Sequence, residues 1–275
     1  MRKKEIKTKA KKHFKKTGKC LERIVPSYDI EDLHNFRTEY KKLRAFLRIL
    51  SNRNANNKIK IDKKLKRLFN LAGCLRDLQL QFIRVTEQAM GDPERPLQYL
   101  KFINQEKQKL QLRLTENISG NIVRDNKKKY ERLIPGKLTS PDVKRFIRKK
   151  TKDLNLIVEI GIYNDATIHE TRKIIKDVFY NVHILHPAGV APSFCTIWND
   201  TNEIYLRKLL EELGEYHDKA GSIQLLKPGW VNAVNKANRQ SLHMLNEKWL
   251  EQKDKMKKSI VEKITALYTG GQVLL

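Results

Sequence analysis

A histidine, an arginine and a lysine recur together in this chain. His34, Arg37 and Lys41 form H-x2-R-x3-K, and His169, Arg172 and Lys176 form it again 135 residues later. Apolar positions recur with them, Leu33, Leu43, Leu47 and Leu50 aligning with Ile168, Val178, Val182 and Leu185. The next segment repeats too: Leu65 to Asp77 and Leu206 to Asp218 share L-[KR]-[KR]-L-x4-G-x3-D at a separation of 141. Two linked patterns in the same order, at nearly the same offset, restrict the chain to a fold that can be built twice.

The periodicity of the repeats is helical. Leu33, Phe36, Tyr40, Leu43, Leu47 and Leu50 follow each other at 3-4-3-4-3 spacing, the seam of a bundled helix running from about Asp29 to Leu50. Further helices are expected from about Ile61 to Thr86, from Pro93 or Pro96 to Asn117, and from Asp165 through Leu185. Another is expected after Asp200 and Glu203, which resemble a capping box, reaching about Leu226. Ser140-Pro141-Asp142 supplies an N-cap, a first-turn proline and a first-turn acid for a short helix to about Asp153. From Trp230 to about Leu267 the pattern fits two helices or one long bent one, ending at Thr269-Gly270-Gly271. Ile6, Ala10, Phe14, Leu21 and Ile24 fit a basic amphipathic helix ending before Pro26, and the same lysine-rich stretch also fits a solvated charge run. Ser119 to Pro135 is polar and ambiguous, and Leu156 to Ile162 is the single short β-like run, readable equally as a connection. The expected fold is all-α: one domain over residues 1–268, a duplicated bundle with a first half over about 1–135 and a second over about 155–268, related by a pseudo-two-fold axis, then a tail over 269–275.

Charge says what such a body would meet. The 275 residues carry 57 Lys+Arg against 31 Asp+Glu, a net charge of +26, while a 40% hydrophobic fraction suffices for a core. The excess therefore sits on a folded surface and calls for an anionic partner. No run of 18 apolar residues is present and the basic N-terminus is followed by no apolar stretch, so neither a membrane span nor a secretory signal is read, and a cytoplasmic location is expected. Cys20, Cys74 and Cys195 form no C-x-x-C pair and read as reduced thiols, Cys74 in a helix seam.

His34, Arg37, Lys41, Arg44 and Arg48 recur at 3-4-3-4 spacing one residue beyond the apolar seam, a cationic stripe rotated about 100° from the core-facing line. It borders the core instead of pointing to open solvent. On the next helix Lys66, Asn70, Gly73 and Asp77 share a stripe, as do Arg207, Glu211, Gly214 and Asp218 in the other half. Glycine inside a helix costs about 1 kcal/mol relative to alanine, so Gly73 and Gly214 are expected to permit close approach of a helix or ligand. Asp77 and Asp218 are expected to hold an arginine or lysine of a neighbouring helix in one rotamer. Packing accounts for repeated leucines, whereas repeated His, Arg and Lys are accounted for by a polyanion lying between the halves. No H-E-x-x-H, G-x-S-x-G, P-loop or clustered carboxylates are present to serve catalysis. His183 and His186 could ligate a metal, but no third ligand is evident, so no metal and no cofactor are expected.

At these residues the sequence resembles the CHAD family, the conserved histidine α-helical domain. His34 to Arg44 match its H-x2-R-x3-K-K-L-R pattern and Leu65 to Asp77 its L-K-x-L-x4-G-x2-R-D pattern, with weaker second copies at His169 to Tyr180 and Leu206 to Asp218. The resemblance covers about residues 26–268 and implies two four-helix bundles around a basic central groove that binds inorganic polyphosphate, with some members on polyphosphate granules. It implicates His34, Arg37, Lys41, Arg44, Lys66 and Arg76, with His169, Arg172, Lys176 and Arg207 as counterparts; Arg48 and Lys208 complete the expected binding set. Phe179 stands where an equivalent of Arg44 would be and His217 where one of Arg76 would be, which implies a weaker second half. Nothing resembles the acidic tunnel of the triphosphatase domains fused to many relatives, so the implied activity is binding without hydrolysis. Nucleic-acid binding is the alternative that the charge keeps open, and a phosphate-ester processing enzyme is a further one.

Overall fold

The computed structural model describes residues 1–51, 59, 61–88, 96–118, 121–185 and 203–272. Ten helices and no strand occur among them, so the all-α expectation holds. None is long and apolar enough to cross a membrane among the described residues.

The lysine-rich N-terminus is an amphipathic helix, α1 (Lys3–Ser27), with Ile6, Ala10, Phe14, Leu21 and Ile24 all buried. Pro26 lies within its last turn, and the helix is ended by Tyr28, whose φ of 51° is left-handed and whose N–H bonds Ile24 O at 2.7 Å. Asp29 then caps α2 (Ile30–Ser51) by accepting the N–H groups of Glu31 and Asp32. Every residue of the 3-4-3-4-3 seam on α2 is buried. α3 (Lys63–Gln88) buries Leu65, Leu68, Ala72, Leu75 and Leu78. That seam leaves Cys74 exposed, contrary to expectation, because it lies about 100° round the helix from Leu75 and about 160° from Ala72.

α4 (Leu97–Asn117) follows, and the ambiguous polar stretch contains α5 (Ile122–Leu133). α6 (Ser140–Ile160) is capped by Thr139, not Ser140: Thr139 and Asp142 close a capping box and put Pro141 in the first turn. The β-like run around Leu156 is the end of α6, which stops at Gly161 with φ +67°. α7 (Asp165–Leu185) and α8 (Glu203–Leu225) come next; Asp200, like His186 and Cys195, lies outside the described residues. The C-terminal part is two helices, a short α9 (Pro228–Asn232) and a long α10 (Lys236–Gln272) that continues through Gly270-Gly271 instead of ending there.

Neighbour relations follow one order. α2 packs between α1 and α3, and α7 between α6 and α8; α3 packs on α4, and α8 on α10. Across the middle, α2 meets α7 and α3 meets α8. Two hydrophobic clusters hold this together, and the long helices serve both. Ile6, Ala10 and Phe14 of α1 join α6, α7 and α8 in one cluster, while Leu21 and Ile24 of the same helix join α3 and α4 in the other. α2 divides in the same way between Phe36 and Phe46, and α10 between Trp249 and Ile260.

Candidate polyanion-binding cleft

Where α2, α3, α7 and α8 meet, two adjoining recesses of about 430 and 290 Å³ open. Arg37, Lys41, Arg172, Lys176, Tyr180 and His217 line both. The larger adds His34, Arg76, Asp77, Arg207 and Asp218; the smaller adds Arg44, Arg48, His169 and Lys173. The stripes of both repeats are thus brought into one cleft. Lys66 and Lys208 line neither recess and are exposed. Lys208 lies about 100° round α8 from Arg207, and Lys66 stays outside although Arg207, its counterpart, lines the larger recess.

Each repeated arginine lies against a repeated glycine, and at Gly73 it takes the space of the missing side chain. A Cβ on Gly73 would stand 1.8 Å from Arg37 Nη1, so Arg37 crosses α3 through the space that an ordinary side chain fills. There Arg37 donates to Phe69 O at 3.1 Å, and its Cζ lies 4.7 Å from the Phe69 ring centroid. Phe69 also stacks on Tyr40 at 4.3 Å and lies 5.8 Å from the Arg44 Cζ, making a rigid floor under two guanidinium groups. In the other half Arg172 Nη2 lies 3.4 Å from the Cβ position of Gly214, and Leu210 stands where Phe69 would be. The expected close approach at both glycines is therefore that of a side chain from the neighbouring helix.

Crowding of like charge dominates the electrostatics. Burial, reinforced by Arg37, Lys176, Arg172 and Arg44, pushes the Lys41 ammonium down to about 6. Burial and Arg172 lower Lys176 to about 8, against the pull of Asp218. Burial with Arg172 and His169 lowers His217 to about 4, and its ring sits 4.7 Å from that of His169. Arg76 Nε, Arg172 Nε and His169 Nδ1 are buried without a hydrogen-bond partner among the described residues. Donors and cations are collected here in excess of what the protein itself neutralises.

A comparison of the whole chain with family models gives a match to the CHAD domain over residues 9–227. The chain belongs to the CHAD family. Two solved structures are similar to this CHAD chain throughout: that titled as the CHAD domain from the plant Ricinus communis, with TM-score 0.64 and 15% identity over 98% of this chain and 91% of that one, and PptA from Streptomyces chartreusis, with TM-score 0.65 and 9% identity over 98% of each. At such identities the likeness is one of fold. No curated protein matches the sequence.

Within the CHAD cleft, some cations are already spoken for. Arg48 Nη1 binds both carboxylate oxygens of buried Asp177 on α7, at 2.8 and 2.7 Å, and Lys150 of α6 reaches the same carboxylate at 3.2 Å. Arg207 donates to Glu203 at 2.6 and 3.0 Å, lies 3.2 Å from His183 Nε2, and covers the Phe179 ring at 4.9 Å. Asp218 faces Arg84 of α3 at 3.7 Å, an arginine that lines neither recess. Asp77 has Arg37 as its strongest charge neighbour, which counters the rise that burial imposes on its carboxyl. His183 has Glu203 and Arg207 as partners. Among the described residues no group of three His, Cys, Asp or Glu is placed to hold a metal ion.

Tyr180, Lys173, Asp177 and Phe69 also line the cleft without belonging to the expected binding set. Tyr180 had a signal, since it lies four residues after Lys176 and continues the stripe. Asp177 had none: its role depends on α2 and α6 arriving from far along the chain.

Proposed function

We propose that this CHAD chain binds inorganic polyphosphate in the paired recesses and does no chemistry on it. The observation that carries the reading is the convergence of Arg37, Lys41, Arg172 and Lys176 from both repeats, crowded enough to bring Lys41 down to about 6. A polyphosphate chain offers about one charge per phosphate and no bases, so arginine and lysine pair with it through charge-assisted hydrogen bonds and need no stacking platform. Polyphosphate binding by some members of the family supports the same reading. The matched Arg37–Gly73 and Arg172–Gly214 contacts, with α2 against α7 and α3 against α8, support two four-helix halves about a pseudo-two-fold axis. A protein so built would work in the cytoplasm where polyphosphate accumulates, at granules.

The test is binding of long-chain polyphosphate at about physiological salt. Arg37→Ala with Arg172→Ala should weaken it far more than Lys7→Ala with Lys11→Ala. Equal losses would make the effect one of diffuse charge and end the cleft reading. Phosphate release with added Mg²⁺ or Mn²⁺ would refute the absence of chemistry.

A further inference from the structure

Away from the cleft, α1 carries a second cationic surface of a different kind. Lys3, Lys7, Lys11, Lys15 and Lys19 form one i,i+4 ridge, and all five are exposed. Lys4, Lys12 and Lys16 beside them are exposed as well, and Glu5 is the single acid between residues 3 and 19. Lys9 is half-buried and donates to Ile184 O; over the ridge's span of about 24 Å at 1.5 Å per residue, the eight exposed lysines less Glu5 present about one net positive charge per 3.4 Å of axis, close to the 3.4 Å per phosphate along one strand of a duplex. Like charges at i,i+4 disfavour a helix, so a solubilising face gains nothing from putting one sign at every turn.

α5 extends the surface. Val123 lies against Gly18, Tyr130 stacks on Phe14 at 5.2 Å, and Leu138 N–H bonds Met1 O, so the chain from α5 onward runs antiparallel beside α1. It exposes Arg124, Lys128 and Arg132, again at i,i+4 spacing. The apolar face of α1 is consumed by the core, with Ile6, Phe14 and Ile24 at 0, 1 and 0% exposure, which leaves nothing to enter a bilayer. No aromatic residue lies on the outer face to stack with bases, so contact would be through phosphates alone.

We propose that the outer face of α1, flanked by α5, binds the phosphate backbone of nucleic acid without reading sequence, as a site separate from the cleft. This inference does not depend on the cleft holding polyphosphate. Lysine suits the task as a hydrated point charge on a convex surface, whereas the cleft uses arginine forks in a concave one.

The experiment measures fluorescence anisotropy of a labelled 20-base-pair DNA duplex with the full chain, at several salt concentrations. The comparison is with a variant carrying Lys3→Gln, Lys7→Gln, Lys11→Gln, Lys15→Gln and Lys19→Gln. Affinity should fall at least tenfold at about 0.1 M salt, and the slope of log K against log salt should become shallower by about 4.5, at 0.9 for each phosphate no longer neutralised. The variant should melt no lower than the parent, since it loses repulsion within α1, and it should keep its polyphosphate affinity within twofold. Arg37→Ala with Arg172→Ala should leave duplex binding unchanged. An unchanged affinity and slope for the quintuple variant would overturn the proposal, as would equal losses of duplex and polyphosphate. Binding to anionic phospholipid vesicles but not to the duplex would overturn it in favour of a membrane surface.

Discussion

Filling the cleft with polyphosphate should draw protons from solution. At pH 8 Lys41, held at about 6, is almost wholly neutral, and Lys176, held at about 8, is half charged. Phosphates beside them restore the ordinary lysine value near 10.4, so the complex takes up about 1.5 protons, about one of them on Lys41. The sign follows from linkage: a pKa higher in the complex means that affinity falls as pH rises, by roughly 10- to 20-fold from pH 7 to 8. The empty protein behaves oppositely. Its unfolded chain binds more protons than the fold between the folded value of Lys41, about 6, and the unfolded lysine value, so the fold without ligand gains stability as pH rises through that window. The assay is calorimetric titration with long-chain polyphosphate at pH 8 in buffers of different ionisation enthalpy, where the slope of observed heat against buffer enthalpy counts protons. Lys41→Arg keeps a charge that does not titrate and should leave about half a proton, that of Lys176. Tight binding with no proton uptake would mean that Lys41 is charged in the empty cleft, and the crowded-cation argument would be wrong.

Other outcomes follow from single contacts. Gly73→Ala places a methyl group against the Arg37 guanidinium and should weaken polyphosphate binding about tenfold, whereas Gly221→Ala on α8, with nothing within 4 Å, should stabilise the fold by about 0.5–1 kcal/mol in a denaturant titration. Asp177→Asn removes the shared partner of Arg48 and Lys150 and should cost about 1–3 kcal/mol of stability. The same change frees two cations beside the cleft, so polyphosphate affinity should hold or rise; a fall would show that the Asp177 carboxylate positions Arg48 for binding. Phe69→Leu copies the Leu210 arrangement and, through the loss of about 0.5–1 kcal/mol of cation–π attraction, should reduce affinity a few-fold in the same titration.

Much of the fold was legible because its signals are local. The seam on α2 and its counterpart on α7 report a buried face directly through their spacing. The cationic stripe was legible for the same reason, being fixed by position on a helix relative to that seam. Contacts between helices far apart in sequence were not. Nothing near Arg48 announces that Asp177 neutralises it, and nothing near Phe69 shows that Arg37 lies over it. Lys66 carries the family motif yet lines neither recess, while Arg207, its counterpart in the other repeat, lines the larger one, so matching motif positions do not guarantee matching contacts. The run ending at Ile160 misled for a local reason: β-branched residues in a final helical turn look like a strand until the left-handed Gly161 is recognised as a cap.

The sharing of α1, α2 and α10 between two hydrophobic clusters governs how such a chain must be made. A nascent polypeptide that has emerged as far as residue 135 carries Ile6, Phe14, Phe46 and Leu50 with none of α6, α7 or α8 yet available to cover them. Both clusters take residues from α10, so neither interior is complete until that last helix has been made, and oily surface stays open to chaperones in the meantime. The duplicated pattern is thus a doubling of sequence without a doubling of folding units, and the stretch 1–135 expressed alone should be insoluble although it holds one full set of the motif residues.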